Sequence, residues 1–160
     1  MPLIERDTSA SSLTIRWALR HPVAATWSHL RDRSRLGAWL GEPIRIDGAI
    51  GALIEIDHGQ GYVCRSLVKA CDPVHHSFVV SWEFPDEHET EVVVVVEPLR
   101  DASDAAQLTL VHHGLGGLLD SYADGWVTHL MFFEASLDGA PLPPEEFWSL
   151  HATVRALGLR

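Results

Sequence analysis

The stretch Leu108–Gly139 reads LTLVHHGLGGLLDSYADGWVTHLMFFEASLDG. Its first residues alternate, with Leu108, Leu110 and His112 on one side, and this period of two marks a β-strand. Glycines at 114, 116 and 117 interrupt it. The period then changes: Leu119, Tyr122, Trp126, Leu130, Phe133 and Leu137 follow one another at spacings of 3, 4, 4, 3 and 4. That pattern predicts one amphipathic helix of about twenty residues, closed by Asp138-Gly139. Gly125 sits inside this helix, where glycine costs roughly 1 kcal/mol relative to alanine. Close packing of helix on sheet is the first expectation for it. A niche bordered by Tyr122, Trp126 and His129 is the alternative.

Upstream, SLTIRWALR alternates, placing Leu13, Ile15, Trp17 and Leu19 on one face of a half-buried strand. Pro22 opens a short helix with Val23, Trp27 and Leu30 on its apolar stripe. A second short helix is predicted to carry Leu36, Trp39 and Leu40, ended by Gly41 and Pro43. Strands then recur at short spacing: IRID, ALIEID, YVCRSLVKACD, SFVVSWEF, TEVVVVVEP and AQLTLVHH. The total is about seven antiparallel strands. After the long helix, APLPP forms a linker, and Phe147, Leu150, Val154 and Leu157 share one face of a final helix.

A meander with one apolar face needs cover, and the long helix alone has the apolar length to supply it. The expected fold is therefore α+β: a curved antiparallel sheet wrapped around the long helix in a helix-grip arrangement. Two short helices follow the first strand, and an extra helix lies at the C-terminal end. The whole of residues 1–160 is read as a single domain, with residues 12–139 as core and 140–160 as a C-terminal extension. The valine run Val92–Val96 is apolar on both faces. Its outer side is expected to be covered by the extra helix, or by a second copy of the chain in a homodimer formed through either segment.

The net charge of −10 argues against nucleic acid or an anionic membrane as partner. No run of about eighteen apolar residues suggests a membrane span, and MPLIERDTSASS lacks the layout of a signal peptide. Cys64 and Cys71 lie on one predicted strand roughly 23 Å apart, beyond the reach of about 7 Å that a disulfide allows. Reduced thiols and a cytoplasmic location follow as expectations. The histidines show no metal-binding spacing, and no nucleophile elbow or phosphate-binding loop is present. Neither a metal nor a cofactor is therefore expected.

Several segments resemble, in order, the activator of heat-shock protein 90 ATPase homologue family, within the START-related, birch-pollen-allergen-like (SRPBCC) superfamily. PVAATWSHLRD is similar to its first helix, with Trp27. RLGAWLG and KACDPVHHSFVVSWE match further elements, the latter ending in Trp82-Glu83. LTLVHHGL places the family's histidine at His112. YADGWVTHL is similar to its glycine-tryptophan helix, with Gly125, Trp126, His129 and Leu130. The resemblance spans about residues 12–139, and Ala140–Arg160 lies beyond it. It implies the helix-grip fold, with functions that range over ligand binding, co-chaperone activity and enzymes such as cyclases and hydrolases.

The favoured expectation is a START-like protein that binds a small hydrophobic ligand between sheet and long helix. Six tryptophans suit such a pocket. Its walls are expected from Trp17, Trp39, Ile54, Phe78, Trp82, Val94, Leu110, Trp126 and Leu130, with His112, Tyr122 and His129 as polar tips. His112 could fix a ligand's polar end or act as acid or base near neutral pH, or it could cap the sheet through a backbone bond. Two alternatives stay open: a stress-response domain acting on a chaperone, and a cyclase or hydrolase using His112. The missing catalytic constellation argues against the enzyme.

Overall fold

The computed structural model describes residues 2–158. Its sheet contains β1 (Leu3–Ser9), β2 (Ser12–Leu19), β3 (Glu42–Arg45), β4 (Leu53–Asp57), β5 (Val63–Asp72), β6 (Ser77–Trp82), β7 (Thr90–Pro98) and β8 (Ala106–His113). Their order is β1-β2-β8-β7-β6-β5-β4-β3, antiparallel at every step. Helices α1 (Val23–Arg31) and α2 (Arg33–Leu36) follow β2, α3 (Leu119–Leu137) follows β8, and α4 (Phe147–Leu157) comes last. This is the helix-grip arrangement, with eight strands rather than about seven.

The additional strand is β1, at the sheet edge. LIERDTS offers no apolar alternation because an edge strand buries little. Its backbone pairs with β2 from Ser9↔Ser12 to Leu3↔Trp17. Arg6 also reaches α3, its Nη1 donating to Asp124 Oδ1 at 3.1 Å. The opposite edge differs as well. β3 starts at Glu42, ahead of the expected IRID, and contains Pro43, whose missing N–H an edge strand tolerates. The second helix stops at Leu36, so Trp39 lies in the turn after it. Gly41 lets that turn press on β4: a Cβ there would stand 2.6 Å from the Asp57 carbonyl oxygen.

Strand alternation sets the core. Leu13, Ile15, Trp17 and Leu19 are buried on β2, and Ala106, Leu108, Leu110 and His112 on β8. Register joins the two rows: Leu13 pairs with His112, Ile15 with Leu110 and Trp17 with Leu108. On α3, Trp126, Leu130 and Phe133 are buried against this face, worth about 1.5–3 kcal/mol per large side chain before entropy. Polar bonds fix the helix lengthwise. Trp17 Nε1 donates to Glu134 at 3.1 Å, and His29 bonds Ser136 at 2.9 Å.

The second flank of α3 is covered too. Helix α4 packs on α3, with the Phe147 ring 4.6 Å from that of His129 and 5.6 Å from that of Phe132. Thus α4 does not cover the valine run, whose outward side chains Val93 and Val95 are half-buried. Nor does Leu157 join the packed face: it is exposed, while Val154 is buried. The helix ends there because Gly158 turns left-handed, φ 53°. A register shift in β5 between Val68 and Ala70 returns Cys71 to the same face as Cys64, and both thiols are free.

Candidate functional site

Among the described residues, a tryptophan wall separates an inner hollow from an outer one. The inner one, about 220 Å³, lies between sheet and α3. Of the residues expected to line a pocket, Trp39, Ile54, Phe78, Trp82, Val94, Leu110, Trp126 and Leu130 line this one. Val68, Val80, Val92 and Leu108 also line it, as the same strand alternation implies, together with Leu30 and Leu36 from the two short helices. The outer hollow, about 520 Å³, lies under α4, between the turn after α2, the β4–β5 hairpin and the first half of α3. Trp39, Trp82 and Trp126 border both, and Tyr122 and His129 line only the outer one. Trp17 and His112 line neither: Trp17 is buried, with its indole N–H bonded to Glu134.

His112 is fully buried, and both its nitrogens are committed. The Trp126 indole N–H, which can only donate, bonds Nδ1 at 2.9 Å. The ring proton therefore sits on Nε2 and is donated to Thr90 Oγ1 at 2.7 Å. Thr90 passes its own hydroxyl proton to the Trp82 carbonyl at 3.0 Å. This chain fixes the tautomer and ties β6, β7, β8 and α3 together through side chains. Burial, with a smaller push from His113, lowers the His112 pKa to about 3, so the ring is neutral at physiological pH. Its bonds run to side chains rather than to the backbone group expected of a capping histidine, and no lone pair or proton is left for a ligand.

The outer hollow holds the other titratable groups. His129 donates from Nδ1 to the Trp39 carbonyl at 2.8 Å, which leaves Nε2 as a lone pair; burial lowers its pKa to about 4. His58 stands across from it, ring centroids 5.7 Å apart, and burial, then the neighbouring His129, lowers its pKa to about 3. The Tyr122 hydroxyl donates to Glu87, and burial raises its pKa, with Glu87 adding to the rise. His58 was legible: alternation through Ile54 and Ile56 puts residue 58 on the inner face, although HGQG reads as a plain turn. Phe147, Trp148 and His151 come from α4, and no local pattern connects them to this place.

Gly125 opens into the outer hollow. No atom lies within 4 Å of where its Cβ would stand, so close packing does not require the glycine. What its missing side chain leaves is space. Among the described residues, no cluster of three or more His, Cys, Asp or Glu could hold a metal ion, and no helix is long and apolar enough to cross a membrane.

Comparison with solved structures shows the same fold elsewhere. CalU16 from Micromonospora echinospora has a TM-score of 0.73 at 24% identity, covering 95% of this chain and 91% of that one. DynU16, encoded in the dynemicin biosynthetic locus, has a TM-score of 0.73 at 20% identity, covering 83% of this chain and 49% of its own. PFC0360w, an HSP90 activator from Plasmodium falciparum, has a TM-score of 0.66 at 16% identity, covering 82% of this chain and 99% of that one. No curated protein matches the sequence. The family described as Activator of Hsp90 ATPase homolog 1-like protein matches residues 20–138, and the chain belongs to that family.

Proposed function

We propose that this protein binds a small hydrophobic ligand in the inner cavity between the sheet and α3. The observation that carries the reading is the cavity itself, about 220 Å³ and walled almost wholly by aliphatic and aromatic side chains. Apolar side chains that line a hollow lack contact partners on that side. A ligand of matching shape recovers that contact and needs few polar groups to do so. Free thiols at Cys64 and Cys71 suit a reducing compartment such as the cytoplasm.

Native mass spectrometry of gently purified protein, with a naphthalene titration followed by tryptophan fluorescence, tests this. Binding to the wild type and its weakening in Leu110→Trp, whose larger ring intrudes on the cavity, is the expected result. A wild-type protein that carries no co-purified molecule and ignores naphthalene counts against the reading.

Family membership and the likeness to an HSP90 activator favour a second reading, in which the domain acts on a chaperone ATPase. It rests on association rather than on a site. Stimulation of the host chaperone's ATPase by the purified chain would support it. The enzyme reading needs a free acid or base at His112, and the bonds to Trp126 and Thr90 leave none.

A further inference from the structure

Among the described residues that line the inner cavity, Arg31 is the one charged side chain. The rest of the polar lining is a hydroxyl, a thiol and indole N–H groups, from Ser66, Cys71 and the tryptophans. Arg31 ends α1 and is exposed, so the cavity reaches solvent beside it. Two neighbours set its position. The guanidinium carbon stands 5.3 Å from the centre of the Trp27 ring, and Nη2 lies 3.6 Å from where a Cβ on Gly48 would stand. Trp27 in turn contacts Phe78, ring centroids 6.0 Å apart, and Phe78 pairs with Cys71 across β6 and β5. Phe78, Cys71 and Gly48 all line the cavity. The end of α1, the β3–β4 loop and two strand ends thus frame an opening with a guanidinium on its lip.

No carboxylate of the described residues occupies that guanidinium. The chain has 22 acidic residues against 12 lysines and arginines, and six of those cations hold a carboxylate while Arg31 holds none. The acids beside Arg31 and beside Gly48 are committed to local turns. Asp32 accepts from the Ser34 amide and hydroxyl, and Asp47 accepts from the Ala49 amide. A guanidinium held over an indole keeps its N–H donors available.

We propose that the guest of the inner cavity is an amphipathic acid, its apolar body between sheet and α3 and its carboxylate on the Arg31 guanidinium. This rests on the inner-cavity reading and names the class of ligand. One guanidinium balances one negative charge, and its fork matches the two oxygens of a carboxylate. Apolar walls with a single placed charge fix the orientation of such a molecule. An amine head meets like charge at the lip, and an alcohol leaves the guanidinium to water.

Isothermal titration calorimetry near neutral pH tests this with octanoate, 1-octanol and octylamine, which share a tail. The wild type should bind octanoate about fivefold tighter than the other two, the size expected of an exposed ion pair. Arg31→Met keeps an apolar stem beside Trp27 and removes the charge. It should weaken octanoate about fivefold and leave 1-octanol unchanged. Arg31→Glu should reverse the order, octylamine then binding tighter than octanoate. Arg33→Met removes an equal charge that does not line the cavity and should leave the preference intact. Leu110→Trp should weaken octanoate and 1-octanol alike, which ties head and tail to one cavity. A role of Arg31 confined to the helix end or to the Trp27 contact would shift the melting midpoint without moving these ratios. Ratios unmoved by both Arg31 substitutions, an equal loss in Arg33→Met, or octanoate binding untouched by Leu110→Trp overturns the proposal. Naphthalene and 1-octanol binding with no preference for octanoate overturns it too and leaves the inner-cavity reading standing, whereas failure of every probe to bind removes both.

Discussion

Replacing His112 with alanine lowers the unfolding free energy by about 3–5 kcal/mol, since the change both opens a cavity and strands polar partners. The imidazole is fully buried where β8 meets α3. Its loss leaves the Trp126 N–H without an acceptor and the Thr90 hydroxyl without a donor. Phenylalanine at the same position restores most of the volume but not the acceptor, so His112→Phe costs less, roughly 1–3 kcal/mol. Pairing it with Trp126→Phe removes both halves of the bond. The double variant should then lose clearly less than the sum of the singles, with a coupling of about 1 kcal/mol or more. Urea denaturation of the four proteins measures this. An alanine variant within 1 kcal/mol of wild type would show that the chain of bonds does not hold the structure together.

Acid weakens the fold steeply, and histidines are the reason. His58, His112 and His129 have pKa values lowered to about 3, 3 and 4 in the folded chain. In the unfolded chain they titrate near the ordinary value of about 6.5. Between those limits the unfolded state binds more protons, so stability falls as pH drops below about 6.5 and continues to fall until the folded rings titrate. From pH 7.5 to pH 5 each ring contributes a loss of about 2 kcal/mol, on the order of 5 kcal/mol for the three together. That is comparable to the whole stability of many domains. The size of this loss depends only on the folded pKa values lying below about 5, which makes it insensitive to their finer placement. Urea melts at pH 7.5 and pH 5.0 test it, and His58→Phe should remove about a third of the dependence. A stability flat across that interval would mean that the rings are not held neutral as the geometry requires.

The parts of the fold that were legible are those whose environment is one-sided. β2, β7 and β8 each bury alternate residues, and α3 buries a stripe, so period alone located them. β1 was hidden because an edge strand held by its ladder and one arginine needs no apolar pattern. Alternation tells which face a residue points to but not how deep it sits. That is why Trp17 and His112, rightly placed inward, lie outside both cavities. The outer hollow was the hardest to foresee. Its walls come from the turn after α2, the β4–β5 hairpin, α3 and α4, which are far apart in sequence and meet only because α4 folds back on α3. Gly125 announced that something unusual was there, but only the space around it shows what.

The central claim is that α3 sits in the concavity of the sheet and leaves an apolar hollow able to take a guest. Diffraction from a crystal pressurised with xenon tests this most directly, because xenon enters accessible apolar cavities. The account predicts a xenon site among Val92, Val94, Leu110 and Leu130. A well-ordered crystal with α3 in place, its core solid and free of xenon, would contradict it.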